Sequence, residues 1–279
     1  GWRSDMSATT IEYKGSGDHR VDMHWLQQAL EQDLSPKEIS RSTLKLGSEQ
    51  VLLGDVFSID GKLSASELSL KNSSNRLDYV GIGLPSDKTL LVEGDCGHYL
   101  GQQLAGGRLI CNGSALHYAG CNMQAGSIEI MSNAGDYVGG SIAGNKRGMA
   151  GGRLLIHGNS GDFTGDLMRR GLLMVAGNIG DHCGNRMIAG TITSMGSVGE
   201  NAGNGMRRGT LLFPSKPASM ATGFNDCGRH SLGFLPLLMR DIRAPESAFQ
   251  ALHPMRRRVQ RYLGDASVDG QGEILIWIG

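Results

Sequence analysis

A chain of 279 residues suffices for one or two domains, and its 43 glycines against 7 prolines run in no G-X-Y triplet, which excludes collagen. Lysine plus arginine equal aspartate plus glutamate at 27 each, so no global charge draws the protein to nucleic acid or an anionic membrane. The five cysteines (Cys96, Cys111, Cys121, Cys183 and Cys227) form no C-x-x-C pair, which fits a reducing compartment and argues against a zinc or iron–sulfur site.

No apolar run reaches the roughly 18 residues of a membrane-spanning helix, and no signal-peptide core opens the chain. A cytoplasmic location is therefore expected. Gly1–Asp5 read as an expression remnant ahead of Met6. Residues 21–33 carry a weak helical pattern. Ser35-Pro36-Lys37-Glu38 has the form of a capping box, with proline at the first helical position, so a short helix and then a turn at Gly47 are expected. From Val51 the letters VLLGDVFSIDG read as strand. Leu68, Leu70, Gly81 and Leu84 then echo, at stretched spacing, a repeat that becomes regular at residue 88.

The regular turns start at Lys88, Gly107, Gly126, Gly152, Gly171, Gly190 and Gly209, with gaps of 19, 19, 26, 19, 19 and 19 residues. Two and four residues after each start stand Leu90/Val92, Leu109/Cys111, Ile128/Ile130, Leu154/Ile156, Leu173/Val175, Ile192/Ser194 and Leu211/Phe213. Thirteen residues after the first six starts come Gly101, Gly120, Gly139, Gly165, Gly184 and Gly203. Three residues before each later start come Leu104, Met123, Met149, Met168, Met187 and Met206. So short a period implies stacked coils. Alternate strand positions face a shared interior, the glycines mark corners that need positive φ, and the unbranched methionines fill a second inner wall.

The expected fold is all-β dominated, a right-handed parallel β-helix of ~19-residue coils with short helical flanks at both termini. One coil buries about four apolar side chains at roughly 1.5–3 kcal/mol each. Ordering its backbone costs about 1–2 kcal/mol per residue, so a coil stands only against its neighbours. A leucine-rich repeat is the structural rival, but it needs L-x-x-L-x-L and an Asn or Cys ladder, which the sequence lacks. The boundaries read 1–50 for the remnant and an N-terminal flank, 51–213 for the β-helix and 214–279 for a C-terminal arm or cap. Within the second, 51–87 are degenerate coils and 88–213 regular ones. In the arm, Pro214 and Pro217 lead away from the stack. Residues 231–240 are apolar, 246–263 read as a helix kinked at Pro254, and EILIWI closes as a strand.

Four features stand outside this framework. The third coil carries seven extra residues, in GSIAGNKRG, that present Lys146 and Arg147 on a contact face or a solvated loop. The third position of each turn should point outward, and it holds Leu91, Ile110, Glu129, Leu155, Met174, Thr193 and Leu212. A strand apolar on both faces is covered on both, here by the chain's own tail or by another subunit. The tenth position holds His98, His117, Asp136, Asp162, Asp181 and Glu200. It reads as turn chemistry in which each side chain bonds its own backbone; metal ligands would converge on a point, not run in a row. Arg169-Arg170 and Arg207-Arg208 occupy equivalent corners, where they could grip carboxylates of a partner or an anionic ligand or remain solvated.

The glycine-rich strings lack a βαβ context, and no P-loop, H-E-x-x-H or G-x-S-x-G occurs. No catalytic, cofactor-binding or metal residue is therefore assigned. The contact candidates for a partner or carrier are Lys146, Arg147, Arg169, Arg170, Arg207, Arg208, Leu91, Ile110, Leu155, Met174 and Leu212.

The coils GNSGDFTGDLMRRG, GNIGDHCGNRMIAG and GSVGENAGNGMRRGT resemble the GXGXG repeat superfamily. The SPKEI segment, GDVFSIDG, GMAGGRLLIHG, GMRRGTLLF, FNDCG and FLPLLMRDI extend the resemblance to the C-subunit family of formylmethanofuran dehydrogenase. The bacterial branch of that group belongs to the formyltransferase/hydrolase complex of methylotrophs, and an excess of arginine over lysine weakly favours it. The resemblance implies a subunit without an active site, beside amidohydrolase-like, dehydrogenase-like and formyltransferase subunits. It implies that the complex uses zinc in the hydrolase subunit, tetrahydromethanopterin and a methanofuran-type carrier, in one-carbon oxidation from formaldehyde to formate. Three alternatives stay open. They are the C-subunit of a molybdenum or tungsten formylmethanofuran dehydrogenase, a glutamate-synthase-like structural domain, and a stand-alone β-helix enzyme on an anionic polymer. Residues 244–279 match nothing in the resemblance.

Overall fold

A computed structural model of the chain describes residues 8–15 and 17–278. The expected remnant Gly1–Asp5 lies outside the described residues. Strands dominate, and thirteen of them form one mostly parallel sheet. In its middle, Glu67–Ser73, Thr89–Gly94, Ala105–Asn112, Ala125–Ile130, Ala150–Ile156, Arg170–Val175, Thr191–Ser194 and Thr210–Phe213 pair in chain order, each parallel to the next. The register file runs Leu68, Leu90, Leu109, Ile128, Leu154, Leu173, Ile192, Leu211. Equivalent letters of the repeat therefore lie side by side. All seven inward pairs are at most 2 % exposed.

The methionines form a second file. The amide of Ala150 donates to the Met123 carbonyl (2.7 Å), and those of Arg169, Ile188 and Arg207 donate to Met149, Met168 and Met187 (2.8 Å each). Met123, Met149, Met168, Met187 and Met206 are all fully buried in the main core. The seven extra residues leave both files in step, because Ile128 still pairs with Leu154. They leave by one corner and return to it.

The ends of the sheet differ from the sequence expectation. Ser35 does cap the helix Pro36–Arg41, its Oγ accepting from the Glu38 amide (3.3 Å) while Glu38 Oε2 accepts from the Ser35 amide (2.8 Å). The weak pattern over 21–33 yields a strand Val21–Asp22 and a helix His24–Glu31. Gly47, at φ +58°, turns the hairpin between Thr43–Leu46 and Glu49–Leu52. The stretch from Val51 is not one strand: Leu53–Val56 forms a helical turn before Phe57–Asp60. That turn puts Leu53 and Val56, three apart, into the core together. Thr9–Tyr13 lies between Phe57–Asp60 and Glu67–Ser73, antiparallel to the first and parallel to the second.

The repeat does not stop at Phe213. The amides of Ala218 and Ala221 bond the carbonyls of Val198 (2.9 Å) and Ala202 (3.0 Å), which continues the turn-to-turn bonding of the repeat. Over 246–263 the expected kinked helix is replaced by a 3-10 turn, Ala248–Ala251, and a strand, Arg258–Gly264. The strand sends Val259 and Tyr262 into two different apolar layers, which one helical face cannot do. A helix forms instead over Leu235–Arg243, burying Leu235, Met239 and Ile242 at positions i, i+4 and i+7. The closing strand is seen as Gly272–Trp277, parallel to Thr210–Phe213 with Ile274 beside Leu211.

Candidate interaction surfaces

The corners explain which residues can reach solvent. Gly101, Gly120, Gly139, Gly165, Gly184 and Gly203 all have φ between +64° and +77°. A Cβ at Gly139 would stand 2.7 Å from Leu173 Cδ1, and one at Gly184 3.0 Å from Leu211 Cδ2. Positive φ and a close aliphatic neighbour both demand glycine there.

The tenth-position row bonds the next turn of the repeat, not its own backbone as the residue pattern suggested. Asp78 Oδ1 accepts from the His98 amide (2.7 Å), His98 Nδ1 from His117 (3.2 Å) and His117 Nδ1 from Asp136 (2.9 Å). Asp136, Asp162 and Asp181 then accept from Asp162 (2.8 Å), Asp181 (2.8 Å) and Glu200 (2.7 Å). A second column does the same three positions earlier in each turn: Asp95, Ser114, Asn133, Asn159 and Asn178 accept from the coil that follows. An Asn-containing ladder is thus present, contrary to the expectation from sequence. Asp136, Asp162 and Asp181 each accept an amide from the turn that follows, so these carboxylates are structural. Among the described residues no group of three or more His, Cys, Asp or Glu could hold a metal ion.

The position after the row carries a feature that the sequence reading missed. Tyr79, Tyr99, Tyr118, Tyr137, Phe163 and His182 stack in succession, with ring centroids 4.6–4.9 Å apart and planes within 13°. All six adopt positive φ, 57–65°. That backbone costs a side-chain-bearing residue about 1–2 kcal/mol. A stacked aromatic pair returns roughly 0.5–1.5 kcal/mol, so the ring column offsets much of the strain. The ring that recurs eleven residues into the turns starting at Lys88, Gly107, Gly126, Gly152 and Gly171 was the available signal.

The outward stripe is divided. Leu155, Met174 and Leu212 are buried beneath Leu235, Met239, Ile242, Phe249, Val259 and Trp277 of the chain's own tail. Leu91 and Ile110, at the other end, remain half-buried. Glu129 lies beside them, its carboxylate 2.8 Å from His157 Nε2. Cover by the tail therefore accounts for one end of the stripe. The six basic candidates, Lys146, Arg147, Arg169, Arg170, Arg207 and Arg208, are all exposed. Four thiols are buried, and Cys96 and Cys111 sit with their sulfurs 3.5 Å apart. Burial pushes the Cys121 thiol up to about 12 and raises the Cys183 thiol as well, so neither of these two sulfurs is poised as a nucleophile.

Against this geometry, a family model described as the GXGXG motif matches residues 66–227. The chain belongs to the GXGXG family. The match spans every regular turn of the repeat. Among solved structures, the chain is similar to one from the crystal structure of the formyltransferase/hydrolase complex (FhcABCD) of Methylorubrum extorquens with methylofuran. The two are 35% identical with a TM-score of 0.87, over 97% of this chain and 100% of that one. This likeness agrees with the C-subunit group of the GXGXG family that the flanking segments indicate. No curated protein matches the chain. Among the described residues, no helix of this GXGXG protein is long and apolar enough to cross a membrane.

Proposed function

We propose that the chain is a non-catalytic scaffold subunit of a formyltransferase/hydrolase complex, working in the cytoplasm. The observation that carries this reading is the near full-length likeness to a chain of such a complex, at 35% identity and a TM-score of 0.87. In this reading the complex moves a formyl group from tetrahydromethanopterin to a methanofuran-type carrier and hydrolyses it to formate. Zinc belongs to the hydrolase subunit, and the amidohydrolase-like, dehydrogenase-like and formyltransferase subunits are the partners. The finer architecture we propose is a right-handed parallel β-helix. The unbroken parallel register and the buried methionine file support it. A rigid stack with its side-chain amides and carboxylates committed to neighbouring coils is suited to positioning other chains.

Co-expression with the three companion subunits tests the proposal. The expected result is stoichiometric co-elution in size-exclusion chromatography, with formyl hydrolysis by the assembly and none by this chain alone. A chain that elutes alone in the presence of its companions, or that hydrolyses a formylated carrier unaided, overturns it.

A further inference from the structure

Two of the buried thiols meet across neighbouring turns. Cys111 Sγ stands 3.5 Å from Cys96 Sγ, and both residues are at most 1 % exposed within the main core. Cys111 lies in the strand Ala105–Asn112, where it pairs with Val92 of the preceding turn. Cys96 follows that preceding strand, and its amide donates to the Ser114 carbonyl (2.8 Å). Backbone pairing therefore fixes the two turns against each other on both sides of the sulfurs.

The repeat supplies its own comparison. Cys111 stands four residues into its turn, and Cys96 stands eight residues into the turn before. The same two positions in later turns hold Ile130 with Ala115, Ile156 with Ala134, Val175 with Ser160, Ser194 with Ile179 and Phe213 with Val198. All of these residues are buried. Apolar and hydroxyl side chains thus fill this place, and packing alone does not call for sulfur there. In the Cys96–Cys111 pair both members carry a thiol.

Joining the two sulfurs takes a small motion. A disulfide holds its sulfurs about 2.05 Å apart, so each sulfur of this pair travels about 0.7 Å to close the bond. Once one sulfur is activated, the other is already beside it, at an effective concentration that no free thiol matches. The bond would tie together the strands whose outer residues, Leu91 and Ile110, stay half-buried.

We propose that Cys96 and Cys111 are a modification site, closed to an intrachain disulfide by a small-molecule disulfide such as oxidised glutathione. One cysteine, as its thiolate, attacks a sulfur of the oxidant, forms a mixed disulfide and releases one thiol. The second cysteine attacks the protein sulfur of that mixed disulfide, and the second thiol leaves. Two protein thiols are oxidised, one small disulfide is reduced to two thiols, and the two protons pass to the thiols released. Burial makes the reaction wait on local opening of the turn, so it is slower than exchange at the exposed Cys227. The site rests on this geometry and not on membership of a complex.

The full-length protein is equilibrated without denaturant in glutathione buffers of increasing oxidised fraction. It is quenched with N-ethylmaleimide in guanidinium and weighed by mass spectrometry before and after trypsin. The expected product lacks two hydrogen atoms and links residues 89–108 to residues 109–146, while Cys227 takes up glutathione first and Cys183 stays a thiol. Cys121 shares the second peptide, so the link should persist in Cys121→Ser. It should vanish in Cys96→Ala and in Cys111→Val, changes that copy Ala115 and Val92 of neighbouring turns and so keep the fold. In urea, linking should lower the unfolding constant about a hundredfold, the gain for a closed loop of about 15 residues, and Cys111→Val should lose that gain. The proposal is overturned if the pair stays reduced in a buffer that fully modifies Cys227, or if the link forms only in unfolded protein. It is also overturned if the link survives in Cys96→Ala or Cys111→Val, or if the linked protein unfolds more readily than the reduced one. None of these outcomes bears on co-elution with the companion subunits, so the two readings fail separately.

Discussion

His98 holds the amide of His117 through Nδ1, and a protonated imidazole has no acceptor to offer there. Burial first, and then the Arg20 guanidinium, hold His98 below the usual histidine value. The native state therefore binds fewer protons than the unfolded chain near that value. Its stability is full above about pH 6.5 and falls as the pH drops through the unfolded value toward the folded one. Asn accepts in the same way without titrating, as Asn133 and Asn159 do in the parallel column. His98→Asn should thus lose less stability than the parent between about pH 7.5 and 5.5, read from urea unfolding at the two values. Gly120, at φ +67° and against Leu154 Cδ1, tests the corners. Gly120→Ala should cost roughly 1–3 kcal/mol with secondary structure retained, as measured by urea midpoint and circular dichroism.

At the level of the element, the tail is the part that decides the outer face. Phe249 is fully buried in a short 3-10 turn and packs with Leu155, Met174 and Leu212. Phe249→Ala should destabilise the protein by about 3–5 kcal/mol and raise dye binding by exposed apolar surface, while the inward files stay formed. The elements most easily read from sequence were the repeated strands, because each inward letter of the 19-residue period has one environment throughout. Leu109, Ile128, Leu154 and Leu173 repeat because the same neighbour lies above and below each of them. The tail has no such redundancy. Around Arg258–Gly264 arginines stand beside Val259 and Tyr262, and only the positions of two separate apolar layers make that spacing a strand. The basic candidates lay between these extremes. The double arginines were visible as letters, but that Lys146 and Arg147 line one hollow with Arg169 depends on where the extra loop returns.

For the whole molecule, the consequence of the unbroken parallel pairing is that length matters only along the strands. The extra segment of the third coil shows the converse. Ala143, Gly144 and Asn145 are exposed, and nothing lies within 4 Å of a Cβ built on Gly144. The ladder on either side keeps its register regardless. The loop is thus a splice point at which the paired strands do not register added cargo. Lengthening an already flexible surface loop costs only about 0.6 kcal/mol per doubling. A ten-residue glycine–serine guest placed after Gly144 should leave the unfolding midpoint within about 1 kcal/mol of the parent. The same guest between Leu172 and Met174 should abolish folding, and paired melting curves would compare the two. A protein built this way can acquire a reporter, an affinity handle or a new binding loop at one corner while its interior remains as it was.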